Sequence, residues 1–251
     1  MISNKYRLGL VSVSFRNHSP EEILQAMQAA GLSYIEWGSD VHAPCQDVNA
    51  IKELAELQKK YGITCSSYGT YFSLGKTPTD TLRAYIAAAK LLGTDVLRVW
   101  CGEKSGENMS KEETEALLMQ CHEAAEIARE NDVTLCMECH QQTFTERLQD
   151  AELLLREVGS PHFQMYWQPF QWKTEEDNLA YAQKVSESVL HLHVFQWKGS
   201  ERFSLENGIE EWRMYLQKFK TPRTLLLEFM PDDCITSLAR EVAALKKIIG
   251  E

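Results

Sequence analysis

Apolar and polar residues follow one another in short blocks that repeat from one end of the chain to the other. Runs rich in β-branched and other apolar residues predict eight strands, at 8–13, 33–37, 63–68, 96–100, 133–137, 163–167, 189–195 and 224–229. Between them, apolar residues recur with the period of a helix, and the clearest predicted helices cover 20–30, 49–61, 79–92 and 111–131. The pattern is therefore a strict alternation of strand and helix.

Cap residues define the expected helix ends. Ser19 precedes the first helix, and Gly31 follows it at the position where a left-handed residue commonly ends a helix. Ser110 precedes the longest helix, and Glu113 three residues later completes a capping box. A glycine also follows each of the second and third helices, so each of these helices is expected to end just before the next strand begins.

Eight strand–helix units predict a (β/α)8 TIM barrel that occupies residues 1–251 as a single domain. The units average roughly 31 residues, which is close to the minimum for this repeat, and no Pro/Gly/Ser-rich linker interrupts them. A doubly wound open sheet is the alternative, but the segment after the first strand lacks a glycine fingerprint. The chain also contains no P-loop, no G-x-S-x-G elbow and no H-E-x-x-H helix.

Composition narrows the partners that we expect. The chain carries 26 Lys and Arg against 36 Asp and Glu, for a formal net charge of −10, and 44% of its residues are apolar. An acidic protein repels phosphate backbones, so neither nucleic acid nor an anionic membrane is an expected partner. No apolar stretch reaches the roughly 18 residues needed to cross a bilayer, and the start lacks an apolar signal core, which favours a cytoplasmic location.

The cysteines favour a reducing compartment over a disulfide framework. There are seven, an odd number, and they are scattered along the chain. Cys136 and Cys139 form a C-x-x-C pair, but residues three apart in a strand point to opposite faces. Without a second such pair, this motif is a weak indication of zinc or redox chemistry.

Polar and aromatic side chains end the predicted strands. In a barrel these positions face the mouth, where the chemistry collects. They are Ser14, Glu36, Tyr68, Trp100, Glu138, Gln168, His193 and Glu228. By alternation, Arg98 shares a face with Trp100, and His140 shares one with Glu138. So much buried polarity would be costly without a ligand.

Structural roles stay open at several of these positions. A glutamate that ends an apolar run, such as Glu228, is often only the first solvated residue after the strand. Trp100, Trp167 and Trp197 are more typical of packing, although aromatic walls at a barrel mouth suit sugar faces. His42 follows the second strand directly, and lining the mouth and lying in a structural loop are equally compatible with its position.

Four segments resemble the xylose isomerase-like TIM barrels, the sugar phosphate isomerase/epimerase group. They are YIEWGSDVHAP at 34–44, LRVW at 97–100, ECH at 138–140 and LLEFMPDD at 226–233. The resemblance runs nearly end to end and implies the TIM barrel fold. It also implies a metal-dependent enzyme that acts on sugars, keto sugars or inositol derivatives, although the group includes relatives that cut DNA at abasic sites.

The resemblance implies a divalent metal, Mn²⁺, Mg²⁺ or Zn²⁺, held by Glu138, Gln168, His193 and Glu228. Gln168 stands where the family has Asp, and Gln171 and Gln196 stand where it favours His and an acidic residue. Because a neutral amide is a weaker donor than a carboxylate, we expect weaker metal binding or none. His140 could act as a replacement ligand, or Glu138 and Glu228 could work as an acid/base pair without metal.

The function expected from these residues is that of an isomerase or epimerase of a sugar, keto sugar or sugar phosphate. Glu138 and Glu228 would transfer the proton next to the carbonyl. The substrate contacts that we expect come from Glu36, His42, Tyr68, Arg98, Trp100, His140, Gln171, Gln196 and Arg202. Arg202, with the short loop at 198–200, is the candidate for a phosphate group.

Two other functions remain open, a carbohydrate lyase or dehydratase and a non-catalytic or metal-free sugar-binding protein. An abasic-site nuclease fits worst, because the chain is acidic and its ligand set is depleted. In each remaining case the partner is a small carbohydrate, and a homodimer or homotetramer is expected.

Overall fold

Eight parallel strands close into a barrel in the computed structural model, which describes residues 6–251. The strands are β1 Arg7–Val11, β2 Tyr34–Gly38, β3 Thr64–Leu74, β4 Val96–Cys101, β5 Thr134–Glu138, β6 Phe163–Trp167, β7 Val189–Val194 and β8 Thr224–Leu227. Each strand pairs with its neighbours in chain order, and β8 pairs with β1 to close the ring. The predicted (β/α)8 barrel is confirmed.

Helices separate the strands and surround the barrel. They are α1 Pro20–Ala30, α2 Val48–Lys60, α3 Leu82–Leu92, α4 Lys111–Glu130, α5 Leu148–Val158, α6 Glu175–Val185, α7 Ile209–Leu216 and α8 Leu238–Ile249. A two-stranded antiparallel hairpin, Gln196–Lys198 with Glu201–Phe203, is inserted between β7 and α7. None of the helices between residues 6 and 251 is long and apolar enough to cross a membrane.

The caps lie where the sequence predicts them. Both Ser19 and Ser110 accept a hydrogen bond from the backbone three residues on and complete capping boxes. Gly31 ends α1 in the left-handed conformation, with φ 77°. The third predicted helix is less regular, because Thr79–Thr81 form a 3-10 turn before α3 begins at Leu82.

Most predicted strands differ from the observed ones by one or two residues at their ends, and β3 differs by more. β1 ends at Val11, and Ser12–Phe15 continue as a 3-10 turn. β3 continues past Tyr68 to Leu74, six residues beyond its predicted end, with a register shift against β4 between Gly69 and Ser73. The longer β3 carries additional side chains to the mouth of the barrel.

The apolar core lies between the strands and the helices. Leu10, Ile35 and Leu135 on the strands and Ile23 and Met27 on α1 belong to one continuous buried cluster. Inside the barrel a small second cluster contains Val11, Val13, Val96, Cys136, Tyr166 and Leu226. Above this cluster the barrel interior is polar, so apolar packing is concentrated outside the ring of strands and the functional chemistry inside it.

The C-x-x-C pair divides between these two environments. Cys136 lies in the cluster inside the barrel, whereas Cys139 lies in the outer core. Burial raises the pKa of the Cys139 thiol to about 12, and all seven cysteines are free. The two thiols therefore point to opposite sides of the strand, as their spacing predicts, and do not form a joint site.

Removal of the α4 cap should destabilise the protein measurably. We expect Ser110→Ala to lower the free energy of unfolding by about 1 kcal/mol, because it leaves the backbone N–H of Glu113 without its hydrogen bond. Urea denaturation measures this loss. The matched control is Ser200→Ala at an exposed hairpin turn, which should change stability by less than about 0.5 kcal/mol. Equal effects of the two changes would contradict the role of the cap.

Candidate functional site

The carboxyl ends of β5, β6, β7 and β8 place four polar side chains together. Glu138 is the last residue of β5, Gln168 and Glu228 directly follow β6 and β8, and His193 lies near the end of β7. All four are buried. Since neighbouring parallel strands end at the same edge of the barrel, their final side chains converge on one point.

His193 is the centre of this cluster. Its Nδ1 atom lies 3.2 Å from Gln168 Oε1, 3.4 Å from Glu138 Oε1 and 3.6 Å from Glu228 Oε2. On the other side of the ring, Nε2 lies 3.5 Å from Glu36 Oε2. Burial alone would lower the pKa of His193, but the carboxylates of Glu228 and Glu36 outweigh it and raise the pKa to about 10.

Arg98 joins two of the carboxylates from β4. Its Nε lies 3.3 Å from Glu36 Oε1, and its Nη1 lies 3.1 Å from Glu138 Oε2. Burial raises the pKa of Glu36, but the charges of His193 and Arg98 together bring it down to about 2. Gly69 makes room for the pair, because a Cβ atom there would lie 2.5 Å from Glu36 Oε1.

The two oxygens of Glu138 have different partners. Oε2 accepts a hydrogen bond of 2.6 Å from the indole N–H of Trp100 and also contacts Arg98. Oε1 is directed towards Nδ1 of His193. Although burial opposes ionisation, Arg98 and His193 hold the pKa of Glu138 well below its usual range, so this carboxylate stays charged.

Glu228 differs from Glu138 in its proton affinity. Burial raises the pKa of Glu228, and the nearby charge of Glu138 raises it further, against the opposing effects of His193 and Arg98. Glu228 is therefore the carboxyl group of the cluster that binds a proton most readily. Two carboxyl groups at one site with opposite shifts are typical of a division between acid/base and electrostatic roles.

Glu138, His193 and Glu228 fit a divalent metal. Each offers one ligand atom, and the three atoms lie within 4.8 Å of one another. The amide oxygen of Gln168, 3.2 Å from His193 Nδ1, is a fourth oxygen or nitrogen donor of the kind that zinc, manganese and magnesium accept. Glu36 behind Nε2 would orient the imidazole in the way that carboxylates commonly orient metal-bound histidines.

Charge also balances in this arrangement. Glu36, Glu138 and Glu228 carry three negative charges when ionised, and Arg98 with one divalent ion supplies three positive charges. An aspartate at position 168 would leave an excess negative charge inside the barrel. Gln168 therefore suits a site in which Arg98 already neutralises one carboxylate.

A cavity of about 220 Å³ opens above this cluster at the barrel mouth. It is smaller than the roughly 300 to 1,000 Å³ of pockets for drug-sized ligands, so it suits a compact molecule. Its walls come from the ends of seven strands and the segments after them, with β2 as the exception. The lining residues are Val13, Arg16, Tyr71, Arg98, Trp100, Glu138, His140, Gln141, Gln168, Gln171, Phe195, Trp197, Glu228 and Phe229.

Most of the predicted site residues meet at this place. Arg98, Trp100, Glu138, His140, Gln168, Gln171 and Glu228 line the cavity, and His193 and Glu36 lie beneath it. His140 stacks on Trp100 with ring centroids 5.3 Å apart, and its Nδ1 contacts the carbonyl of Gln141. His140 is thus part of the wall and not of the cluster around His193.

Four predicted contact residues lie elsewhere. Tyr68 packs in the outer core with its hydroxyl donating to the carbonyl of Ala43. A register shift between β2 and β3 puts Ser67 inside the barrel in its place, where the Ser67 hydroxyl donates to Glu36. The expectation that Tyr68 faces the mouth is therefore wrong, because one extra residue reverses the faces of a strand.

The other three are held by neighbouring loops. The ring of His42 contacts Ser12 Oγ and the carbonyl of His18, at 3.1 Å each, and fixes the loop after β2. Gln196 donates to Glu211 on α7. Arg202 pairs with Asp233 and lies over the rings of Trp197 and Phe229, outside the cavity lining.

The structure adds cavity residues that the sequence pattern did not single out. Tyr71 reaches the mouth because β3 is longer than predicted, and Arg16 does so from the turn after β1. Gln141, Phe195 and Phe229 each follow a strand by one to three residues. A search of the residues beyond each strand end, rather than the last residue alone, would have found them.

Phe229 adopts a strained conformation beside Glu228. Its φ is 52°, in the left-handed region that an aromatic residue rarely occupies, and its N–H donates to Ser14 Oγ at 2.8 Å. The conformation directs the ring against Trp197, 5.5 Å away. Strain of this kind is concentrated at functional sites, where the surrounding structure imposes it.

The chain belongs to the xylose isomerase-like TIM barrel family, whose model matches residues 24–244. No curated protein sequence matches it. Among solved structures, the probable 3-DHS dehydratase AsbF from Bacillus anthracis is 16% identical with a TM-score of 0.80, over 96% of this chain and 98% of its own.

Two further solved structures share the fold. D-psicose 3-epimerase from Clostridium cellulolyticum H10, solved with D-tagatose, is 14% identical with a TM-score of 0.67, over 97% of this chain and 98% of its own. The IOLI protein, solved with a zinc atom, is 14% identical with a TM-score of 0.74, over 97% of this chain and 96% of its own. At these identities the likeness shows the fold alone, which a probable dehydratase and an epimerase share.

Acid should weaken the protein partly through Glu36. Because folding lowers the pKa of this carboxyl from 4.5 to about 2, its contribution to stability is present above pH 4.5 and is lost as the pH falls towards 2. The free energy of unfolding of the parent protein should therefore fall between pH 4.5 and 2. In Glu36→Gln, which cannot titrate at this position, we expect that fall to be smaller by on the order of 2 kcal/mol. Denaturant unfolding of both proteins at a series of pH values measures this difference. An identical pH dependence of stability in Glu36→Gln and the parent would contradict this prediction. The control is Glu53→Gln, at an exposed position on α2, which should keep the pH dependence of the parent.

The ligand set can be tested by metal analysis. After dialysis against Zn²⁺ or Mn²⁺, we expect the parent protein to contain one equivalent of bound metal per chain. Loss of a residue that only supports a metal ligand typically lowers metal affinity by roughly 10- to 100-fold. We expect His193→Ala, which removes a ligand itself, to lower metal affinity by more than this. Gln168→Asp should bind more tightly, because it adds a charged donor. His122→Ala, on the exposed face of α4, is the control. Equal metal contents in His193→Ala and the parent would contradict the assignment.

Proposed function

We propose that the protein is an isomerase or epimerase of a sugar or keto sugar, which moves a proton on the carbon next to a carbonyl group. The observation that carries the proposal is the pair of carboxyl groups, Glu138 and Glu228, with opposite pKa shifts beside a three-ligand site under a small cavity. Proton transfer next to a carbonyl needs such a base together with electrostatic stabilisation of the oxygens.

Glu228 is the residue that carries the proton in this proposal. It lines the cavity directly, and burial together with the charge of Glu138 raises its pKa above the usual value in the metal-free site. Glu138 stays ionised, held by Arg98 and Trp100, and supplies fixed negative charge. The two groups thus have separate tasks, although they contact the same imidazole.

Glu138, His193 and Glu228, with Gln168, would hold the divalent ion. When bound, such an ion polarises a carbonyl group and stabilises negative charge on neighbouring oxygens. Glu36 keeps His193 in a fixed orientation from the opposite side of the ring. The aromatic side chains around the mouth exclude water from the reacting carbon, which strengthens each of these interactions.

A dehydratase is the second candidate, and the difference between Glu138 and Glu228 favours it. Both oxygens of Glu138 have partners, whereas Glu228 contacts His193 through Oε2 and offers one atom to the ion, so its other oxygen can take a proton and return it. A single base suits elimination, in which the abstracted proton can pass to the leaving hydroxyl group. A one-base isomerisation also needs Glu228 alone, whereas a two-base epimerisation would require Glu138 to exchange a proton as well.

Exchange of substrate hydrogen with solvent tests the proposal. Metal-loaded protein is incubated in D₂O with a panel of ketoses and inososes, and NMR follows deuterium on the carbon next to the carbonyl. We expect Glu228→Gln and Glu138→Gln each to lower turnover by about 10² to 10⁴. The control is Glu201→Gln on the exposed hairpin at the same end of the barrel, which should retain activity.

The products separate the two candidates, because isomers keep their mass and elimination releases water. Turnover in Glu228→Gln within about tenfold of the parent would refute an acid/base role for this residue. An inert panel in the parent protein would count against both candidates.

A further inference from the structure

One side of the cavity is an aromatic wall built from β3, β4 and the loop after β5. The ring of Tyr71 contacts Trp100 edge-on with centroids 5.6 Å apart, and the ring of His140 stacks on Trp100 with centroids 5.3 Å apart. We call these three residues the first wall. Their contacts with one another hold the rings in fixed orientations at the mouth.

A second wall lies across the mouth. The rings of Phe195 and Phe229 each contact Trp197, with centroids 5.5 Å from it. Phe195 follows β7 and Phe229 follows β8, and in the ring of eight strands these lie opposite β3 and β4. The two walls therefore face each other across the cavity and form a slot whose floor is Glu138 and Glu228.

Neutral amides complete the lining between the walls. Gln141, Gln168 and Gln171 come from the ends of β5 and β6, and each offers both a donor and an acceptor. The indole N–H of Trp197 is buried and has no hydrogen-bond partner within residues 6–251. The slot thus presents apolar ring faces together with uncharged hydrogen-bonding groups, which suits hydroxyl groups on a carbon skeleton.

Both arginines of the slot are already neutralised. At the rim, Arg16 Nε lies 2.6 Å from Asp40 Oδ2, and Arg16 Nη2 donates to the hydroxyl of Tyr71 at 2.7 Å. Deeper, Arg98 pairs with Glu36 and Glu138. No lysine lines the cavity in the part of the chain that the structure describes. A bound divalent ion would itself be balanced by the carboxylates of the floor.

We propose that the slot takes an uncharged, polyhydroxylated carbonyl compound of monosaccharide size and selects against its phosphate esters. The inference rests on the proposed function, because it takes the cavity above Glu138 and Glu228 as the substrate site. A phosphate group would bring about two negative charges into a site whose cations are all paired, and burying unpaired charge is costly. The ring faces instead stabilise the C–H surface of a neutral sugar.

Equilibrium dialysis tests the selection, because it counts bound carbohydrate whether or not it is converted. The probes are D-fructose, D-tagatose and D-xylulose, each compared with its phosphate monoester on metal-loaded protein. We expect at least one neutral probe to bind at least about tenfold more tightly than its ester, and no ester to bind more tightly than its parent. An ester that binds more tightly than its parent, or a neutral panel that does not bind, would overturn the proposal.

Variants assign the selection to the residues named. Asp40→Asn leaves Arg16 without its counter-charge, so we expect it to gain affinity for the esters while its affinity for the neutral probes stays the same. Trp197→Leu should lower the affinity for the neutral probes by about tenfold. Trp172 is an exposed tryptophan outside the slot, and Trp172→Leu should leave that affinity unchanged. Unchanged ester binding in Asp40→Asn, or equal effects of the two tryptophan changes, would overturn these assignments.

The outcomes separate this inference from the proposed function. Neutral probes that bind without deuterium exchange would leave the selection standing and remove the function. A phosphate ester that binds more tightly than its parent and exchanges deuterium through Glu228 would keep the function and overturn the selection.

Discussion

Three carboxylates are buried around one imidazole at the mouth of this barrel, and their repulsion is the constraint that shapes the site. Glu36 approaches His193 from one side of the ring, and Glu138 and Glu228 approach it from the other. Desolvation alone would make this arrangement costly. Arg98 bridges two of the carboxylates and offsets part of that cost, while the remaining negative charge faces the position of a divalent ion.

The same network separates the roles of the two carboxyl groups that face the cavity. Arg98 and Trp100 contact one oxygen of Glu138, so this group stays ionised and fixed in orientation. Within residues 6–251 no arginine or tryptophan donates to Glu228, and its pKa is higher because of burial and the charge of Glu138. Asymmetry between two chemically identical side chains thus arises from which neighbours the barrel supplies to each.

The fold connects this network to the substrate slot. The strands that carry the aromatic walls also carry the buried charges beneath them, so Trp100 is both a wall residue and a hydrogen-bond donor to Glu138. Phe229 directly follows Glu228, and its strained backbone directs its ring against Trp197 in the second wall. A substrate held between the walls would therefore lie directly above the carboxyl groups.

Much of this could be predicted from periodicity and spacing. The alternation of strand and helix indicated the barrel, because a parallel sheet of eight strand–helix units closes on itself. The convergence of Glu138, Gln168, His193 and Glu228 also followed, since parallel strands end at the same edge and their final residues meet there. Caps such as Ser110 were predictable because their hydrogen bonds are local in the chain.

The sequence by itself thus determined the elements, their order and the residues that end each strand, since these depend on local backbone preferences and side-chain period. Only the tertiary structure decided which side chain faces inward at β3, because one extra residue there turns Tyr68 outward and Ser67 inward. It also decided the partners of Arg98 and Arg16, which lie far from them in the chain. Charge pairing depends on distance in space, and no periodicity along a sequence encodes that distance.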